Sequence, residues 1–112
     1  MMKEQQKKAY KTLFKILNKI YAETKSDNLG ALLGGMNPYL FSDTSSADPA
    51  AYEDFCNCLK ECSKNTFPED VKEAYTASIK FLEYYKDEFG FNIDEIIELV
   101  NFQKYETEFN EN

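Results

Sequence analysis

Three cysteines, Cys56, Cys58 and Cys62, stand close together and are the first place to look for chemistry. Thiolate clusters bind zinc tetrahedrally, usually through four ligands that often include histidine. The chain has no histidine. On a helix successive side chains turn by about 100°, so Cys56 and Cys58 would point roughly 160° apart. Cys58 and Cys62 share a flank at i, i+4, but no fourth cysteine exists to finish a site. A nucleophilic thiolate needs a histidine, a cation or a helix N-terminus to lower its pKa. Here Glu53, Asp54 and Glu61 would raise it, against Lys60 alone, and the helix start lies too far back. The three are expected as small buried or half-buried hydrophobes.

Other constellations fail on equally local grounds. Asp43 and Asp54 stand at positions 1 and 12 of a calcium-loop spacing. Such a loop wants an oxygen at position 5 and Gly at 6, where this chain has Ala47 and Asp48, and Pro49 starts a helix instead. Gly30, Gly34 and Gly35 follow no strand and match neither phosphate-loop pattern, so close packing and a helix stop account for them. The carboxylate pairs Glu53/Asp54, Glu69/Asp70, Asp87/Glu88 and Asp94/Glu95 fall at helix starts or on outward faces. Catalytic carboxylates need settings that drive their pKa values apart. The chain also lacks Trp, and all 13 basic residues are lysine. It therefore has no guanidinium fork for phosphate or guanine. The expectation is a protein that is not an enzyme, with no metal and no cofactor.

The elements carrying these residues read as helices. Tyr10, Leu13, Phe14, Leu17, Ile20 and Tyr21 have the 3–4 spacing of one helical face, with Lys8, Lys11, Lys15 and Lys19 opposite. Ser26-Asp27-Asn28 ends this helix and caps a short one bearing Leu29, Leu32, Leu33 and Met36. Asp48-Pro49 is a strong helix start, followed by Tyr52, Phe55, Leu59 and Cys62 on one face. Thr66 to Glu69 has capping-box spacing ahead of a stripe of Val71, Tyr75, Ser78, Leu82, Tyr85 and Phe89 that stops at Gly90. Asn92 with Glu95 repeats that spacing before Ile93, Ile96, Ile97 and Val100. No segment alternates long enough to be a strand. The expected fold is one all-α domain over residues 1–112, a small bundle of four main helices plus one short helix.

The stretches SDNLGALLGGMNPYLF and ADPAAYEDF, through Asp27, Leu29, Gly30, Asp48, Pro49 and Phe55, resemble a small uncharacterised family of Gram-positive bacterial proteins. The resemblance covers residues 26–55, about a quarter of the chain, and implies an all-α fold and no known activity.

The N-terminal MMKEQQKKAYK has no apolar stretch of the secretory kind, no segment suits a bilayer, and an odd number of cysteines makes no disulfide framework. A cytoplasmic protein without a membrane role is expected. Residues 1–25 carry a formal charge of +5 and the remainder -12. The lysine stripe is narrow and reads as a solvated face. The acidic remainder would reject nucleic acid and steer a basic partner.

One feature is sharper. Phe102, Tyr105 and Phe109 lie at i, i+3, i+7, nearly opposite Ile93, Ile96, Ile97 and Val100. If the last helix continues, these rings form an uncovered face flanked by Glu98, Glu106 and Glu108, the kind of patch that contacts a partner. The alternative is a break near Asn101 with the tail folding back or fraying. The loop residues Tyr39 and Phe41, with Leu40, are a second candidate contact or a plug over one end of the bundle. The leading expectation is an acidic, non-catalytic protein-binding module of inhibitor, immunity or adaptor type. A self-associating homodimer comes next, and a small-molecule or metal site using Cys58, Cys62 and core tyrosines comes third.

Overall fold

The computed structural model describes the backbone of residues 2–36, 49–62 and 71–111, and the side chains of residues 7–36, 52–61 and 71–111. All regular structure among them is helical: α1 (Met2–Thr24), α2 (Asp27–Met36), α3 (Pro49–Cys62), α4 (Val71–Phe89), α5 (Asp94–Leu99) and α6 (Phe102–Glu111). The all-α bundle expected from periodicity therefore forms, with one helix more than expected, because the C-terminal segment is two helices. No helix among the described residues is long and apolar enough to cross a membrane.

α1 is the central element and touches all five others. Its buried surface is accordingly wider than one stripe: Ala9, Thr12 and Ile16 join Tyr10, Leu13, Phe14, Leu17 and Ile20, while Tyr21 is half-buried. The lysine flank is not wholly solvated either, since Lys8, Lys11 and Lys15 are half-buried and only Lys19 is exposed. α1 ends where Lys25 adopts a left-handed φ of 55° and donates its N–H to Tyr21 O at 2.8 Å. Ser26 then caps α2 as its position suggests. Its hydroxyl accepts the Leu29 N–H at 3.3 Å and its carbonyl accepts the Gly30 N–H at 2.9 Å.

α3 begins at Pro49 and runs antiparallel to α4. Asp54 of early α3 meets Tyr85 of late α4, and Glu61 of late α3 meets Lys80. Phe55 and Phe81 close this pair edge-on at 5.7 Å, and Tyr10 of α1 completes a triad with both at 5.3 and 6.4 Å. Edge-to-face contacts of this kind add about 0.5–1.5 kcal/mol per pair beyond area burial. The Asp48 cap and the Thr66–Glu69 capping box lie outside the described residues.

The stripe read for α4 needs correction. Ala74, Ala77, Ser78, Phe81, Leu82 and Tyr85 are buried, Val71 and Tyr75 are half-buried, and Phe89 is 58% exposed. α4 packs against α1, α3, α5 and α6. Small alanines, Ala74 and Ala77, admit these close neighbours beside the expected stripe.

The capping box read at Asn92 does not form. The residue before α5 is Ile93, with no side-chain cap, and Asn92 instead donates its backbone N–H to Asn28 Oδ1 at 3.3 Å. α5 stops at Leu99 because Val100 leaves helical geometry, with ψ at 87°, and its carbonyl accepts the Tyr75 hydroxyl at 3.2 Å. Asn101 restarts the helix: its Oδ1 accepts the Lys104 N–H at 2.9 Å and its carbonyl accepts the Tyr105 N–H at 3.1 Å. The break near Asn101 is thus an N-cap, and α6 folds back across α1 and α4.

Candidate partner-binding surface

That corner decides the fate of the aromatic face expected in the C-terminal segment. Tyr105 is fully buried and donates its hydroxyl to Ala9 O of α1 at 3.0 Å. Phe109 is half-buried, stacked beside Tyr105 at 6.1 Å and capped by the Lys8 ammonium 4.4 Å from its ring centre. Phe102 is at the edge, 36% exposed, with its ring edge-on to Tyr75 at 5.5 Å. The three rings are therefore a seam between α6 and the bundle rather than an open face, because the break at Val100–Asn101 lets α6 lay them against α1 and α4. Glu98 and Glu106 remain exposed, but the rings they were to flank are largely covered. Glu108 is nearly buried and pairs with Lys19 at 2.6 Å. That partner's hydrogen bond and charge raise the Lys19 pKa. Tyr39 and Phe41 lie outside the described residues.

Among the described residues the most exposed rings sit elsewhere, at the C-terminal end of α4. Phe89 is 58% and Tyr84 41% exposed, and their rings meet edge-on at 6.2 Å. Behind them Tyr85 tilts against Phe89 at 4.8 Å, and Phe91 stacks on Tyr85 at 6.3 Å. The backbone explains the arrangement. Gly90 takes φ 73°, accessible to glycine without a Cβ clash, and donates its N–H to Lys86 O at 3.0 Å. The chain turns back at once, placing Phe91 on Tyr85 and Ile93 in the core, and leaves Phe89 outside on the overshooting helix end.

This ledge is acidic. Asp54 Oδ2 accepts the Tyr85 hydroxyl at 2.9 Å. The neighbouring Tyr84 hydroxyl has its pKa raised, first by the charge of Asp54, then by partial desolvation, then by Glu88. Lys80 and Lys86, the α4 cations nearest in sequence, are drawn to carboxylates of other segments: Glu61 at 3.6 Å and Asp94 at 2.7 Å. Sequence reading placed Phe89 in the interior. A possible signal was Gly90 itself, since a helix that ends on glycine one residue past an aromatic leaves that aromatic at the rim.

Two concavities open on the described surface. A groove of about 400 Å³ between α1 and α6 has Ile16 and Ile20 in its wall, with Lys19, Glu23, Lys104 and Glu108 around them. The Lys19–Glu108 pair joins its two sides. A second hollow of about 470 Å³, near the start of α2 and α5, is polar, with Ser26, Asn28, Asn92, Asp94 and Glu95.

Cys58 is buried in the core, and Cys56 is half-buried, its thiol pKa pushed up by burial. The Tyr52 hydroxyl is buried without a hydrogen-bond partner among the described residues, with the Cys56 thiol nearby. The side chain of Cys62 lies outside the described set. Among the described residues no three Cys, Asp or Glu side chains are grouped to hold a metal ion. No protein-family model matches the chain, and no curated protein or solved structure is significantly similar to it.

Proposed function

We propose that the chain is a non-catalytic protein-binding module that engages a basic partner through the Tyr84/Phe89 ledge. The observation that carries this reading is a pair of exposed rings at one helix end with the charges of Asp54 and Glu88 beside them. Aromatic residues dominate contact energies at interfaces, and a charged surround steers the approach of an oppositely charged surface. The net charge of -7 strengthens that steering at low ionic strength. A reduced cytoplasm is the setting we propose, in keeping with an odd cysteine count.

Self-association is the weaker reading on the same ledge. A two-fold dimer would place each residue near its own copy's surface, bringing Asp54 and Glu88 towards like charges. A tagged pull-down from host lysate at low and high salt, beside light scattering on the pure protein, separates the two. The expected result is one basic protein held at low salt, released at high salt, and lost when Tyr84→Ser and Phe89→Ser are introduced. Retention unchanged by both substitutions would show that the ledge is not the contact. A stable dimer with no partner would favour self-association.

A further inference from the structure

Accepting the ledge as the contact surface, its geometry also narrows what the partner presents. The four rings lie against one another at centroid distances from 4.8 to 6.3 Å. They pack together and do not enclose a cage for a spherical cation. What they offer is outward ring face and edge, with Phe89 the most exposed, beside the Asp54 carboxylate that already accepts one hydrogen bond from Tyr85.

Two half-buried rings elsewhere in the fold are covered by lysines of the chain itself. The Lys8 ammonium lies over Phe109 at 4.4 Å and the Lys25 ammonium over Tyr21 at 5.7 Å. Among the described residues no lysine is so placed on Tyr84 or Phe89, although α4 carries Lys80 and Lys86 close by in sequence. Those two are engaged by Glu61 and Asp94. Among the described residues, Tyr84 and Phe89 are thus exposed rings beside carboxylates with no lysine of the chain over them.

A flat, weakly hydrated cation suits such a surface. Guanidinium stacks on an aromatic face and bonds a carboxylate in its own plane, whereas an ammonium is a strongly hydrated point charge without a face to stack. We propose that the ledge takes an arginine side chain from a basic segment of another protein, stacked on Phe89 and Tyr84 and paired with Asp54 or Glu88. A second copy cannot supply it, because this chain contains no arginine. The inference rests on the proposed function and deepens it.

The test uses the whole chain, isotope-labelled, titrated with three capped peptides differing at one residue type. One carries two arginines in a Gly-Ser background, the second lysines, and the third citrullines, which keep the planar shape without the charge. The arginine peptide is expected to bind at least about threefold more tightly than its lysine twin, on the strength of stacking plus planar pairing. Amide shifts should cluster on Tyr84, Glu88, Phe89 and Gly90, and the citrulline peptide should not bind. Phe89→Ala should erase the difference between arginine and lysine, while Asp54→Asn should weaken both. Unchanged circular dichroism would show that each variant keeps its fold. Equal affinity for arginine and lysine, with shifts still on the ledge, would overturn the arginine assignment and leave the contact surface standing. Shifts confined to the α1–α6 groove, or scattered over the acidic faces, would overturn both.

Discussion

Four tyrosine hydroxyls tie the helices together, each across a different contact. Tyr10 donates to Met36 O at the end of α2, Tyr75 to Val100 O at the α5–α6 corner, Tyr85 to Asp54 of α3, and Tyr105 to Ala9 O of α1. A buried hydrogen bond contributes about 1 kcal/mol net, so Tyr105→Phe should lower unfolding free energy by about that amount in urea titrations. Tyr105→Ala, which also empties the seam, should cost about 3–5 kcal/mol. A difference of less than a few tenths of a kcal/mol between wild type and Tyr105→Phe would mean that the hydroxyl adds nothing. Burial raises the Tyr105 hydroxyl pKa, and desolvation also raises that of Tyr52. The sign follows from linkage. The unfolded chain releases these protons near the ordinary tyrosine value of about 10, and the folded chain holds them to higher pH. Their contribution to stability is therefore complete below about pH 10 and declines as pH rises beyond it. Urea midpoints taken from about pH 9 upward should fall, and the fall should be shallower in Tyr105→Phe, which separates it from lysine deprotonation. A slope identical in the variant would refute the assignment.

At the scale of elements, α2 offers a contrast between two glycines in one helix. A Cβ added at Gly34 would meet nothing within 4 Å, whereas one at Gly30 would stand 3.0 Å from Tyr21 Cε1. Alanine in a helix interior is favoured over glycine by about 0.5–1 kcal/mol. Gly34→Ala should therefore raise the melting temperature. Gly30→Ala should gain less, or lose, because the Tyr21 ring of α1 must give way to the added Cβ. Equal gains in calorimetry would mean that α2 and α1 adjust freely. Much of this architecture was legible in the residues. The 3–4 spacing of apolar positions, the cap at Ser26, Pro49 as a first helical residue and Gly90 as a stop are local signals, and each marks a real boundary. What was not legible depended on where a chain goes after a boundary. Ile93, Ile96, Ile97 and Val100 face one way and Phe102, Tyr105 and Phe109 the other, which fits a long helix with two faces or two short helices reversed at Asn101. The Asn101 cap and the Tyr75 bond to Val100 O decide for two helices, and the second is a contact between residues far apart in sequence. The ledge escaped reading for the same reason. Phe89 continues the helical period of Tyr75 and Leu82, yet the turn at Gly90 carries the following residues inward and strands it.

At the scale of the molecule, charge and exposed aromatic surface coincide at one end of α4. Stability and binding should therefore separate cleanly. Phe89→Ser removes a ring that is mostly in solvent, so its unfolding free energy should stay within about 1 kcal/mol of wild type. Phe81→Ala, which opens the fully buried triad with Tyr10 and Phe55, should cost about 3–5 kcal/mol. Denaturant titration compares the two directly, and a large loss in Phe89→Ser would show that the ledge belongs to the core rather than to a partner. Binding should respond in the reverse order and weaken as salt rises, because the steering field of a chain at -7 is screened within about 8 Å at physiological ionic strength. The tyrosine ties have a last, optical consequence. With eight tyrosines and no tryptophan, the near-ultraviolet spectrum of this protein is a tyrosine spectrum. Among the described residues, four of its chromophores donate hydrogen bonds, each to a different segment. Replacing them singly with phenylalanine would assign portions of the near-ultraviolet signal to particular helix contacts, so that unfolding could be watched seam by seam without any added label.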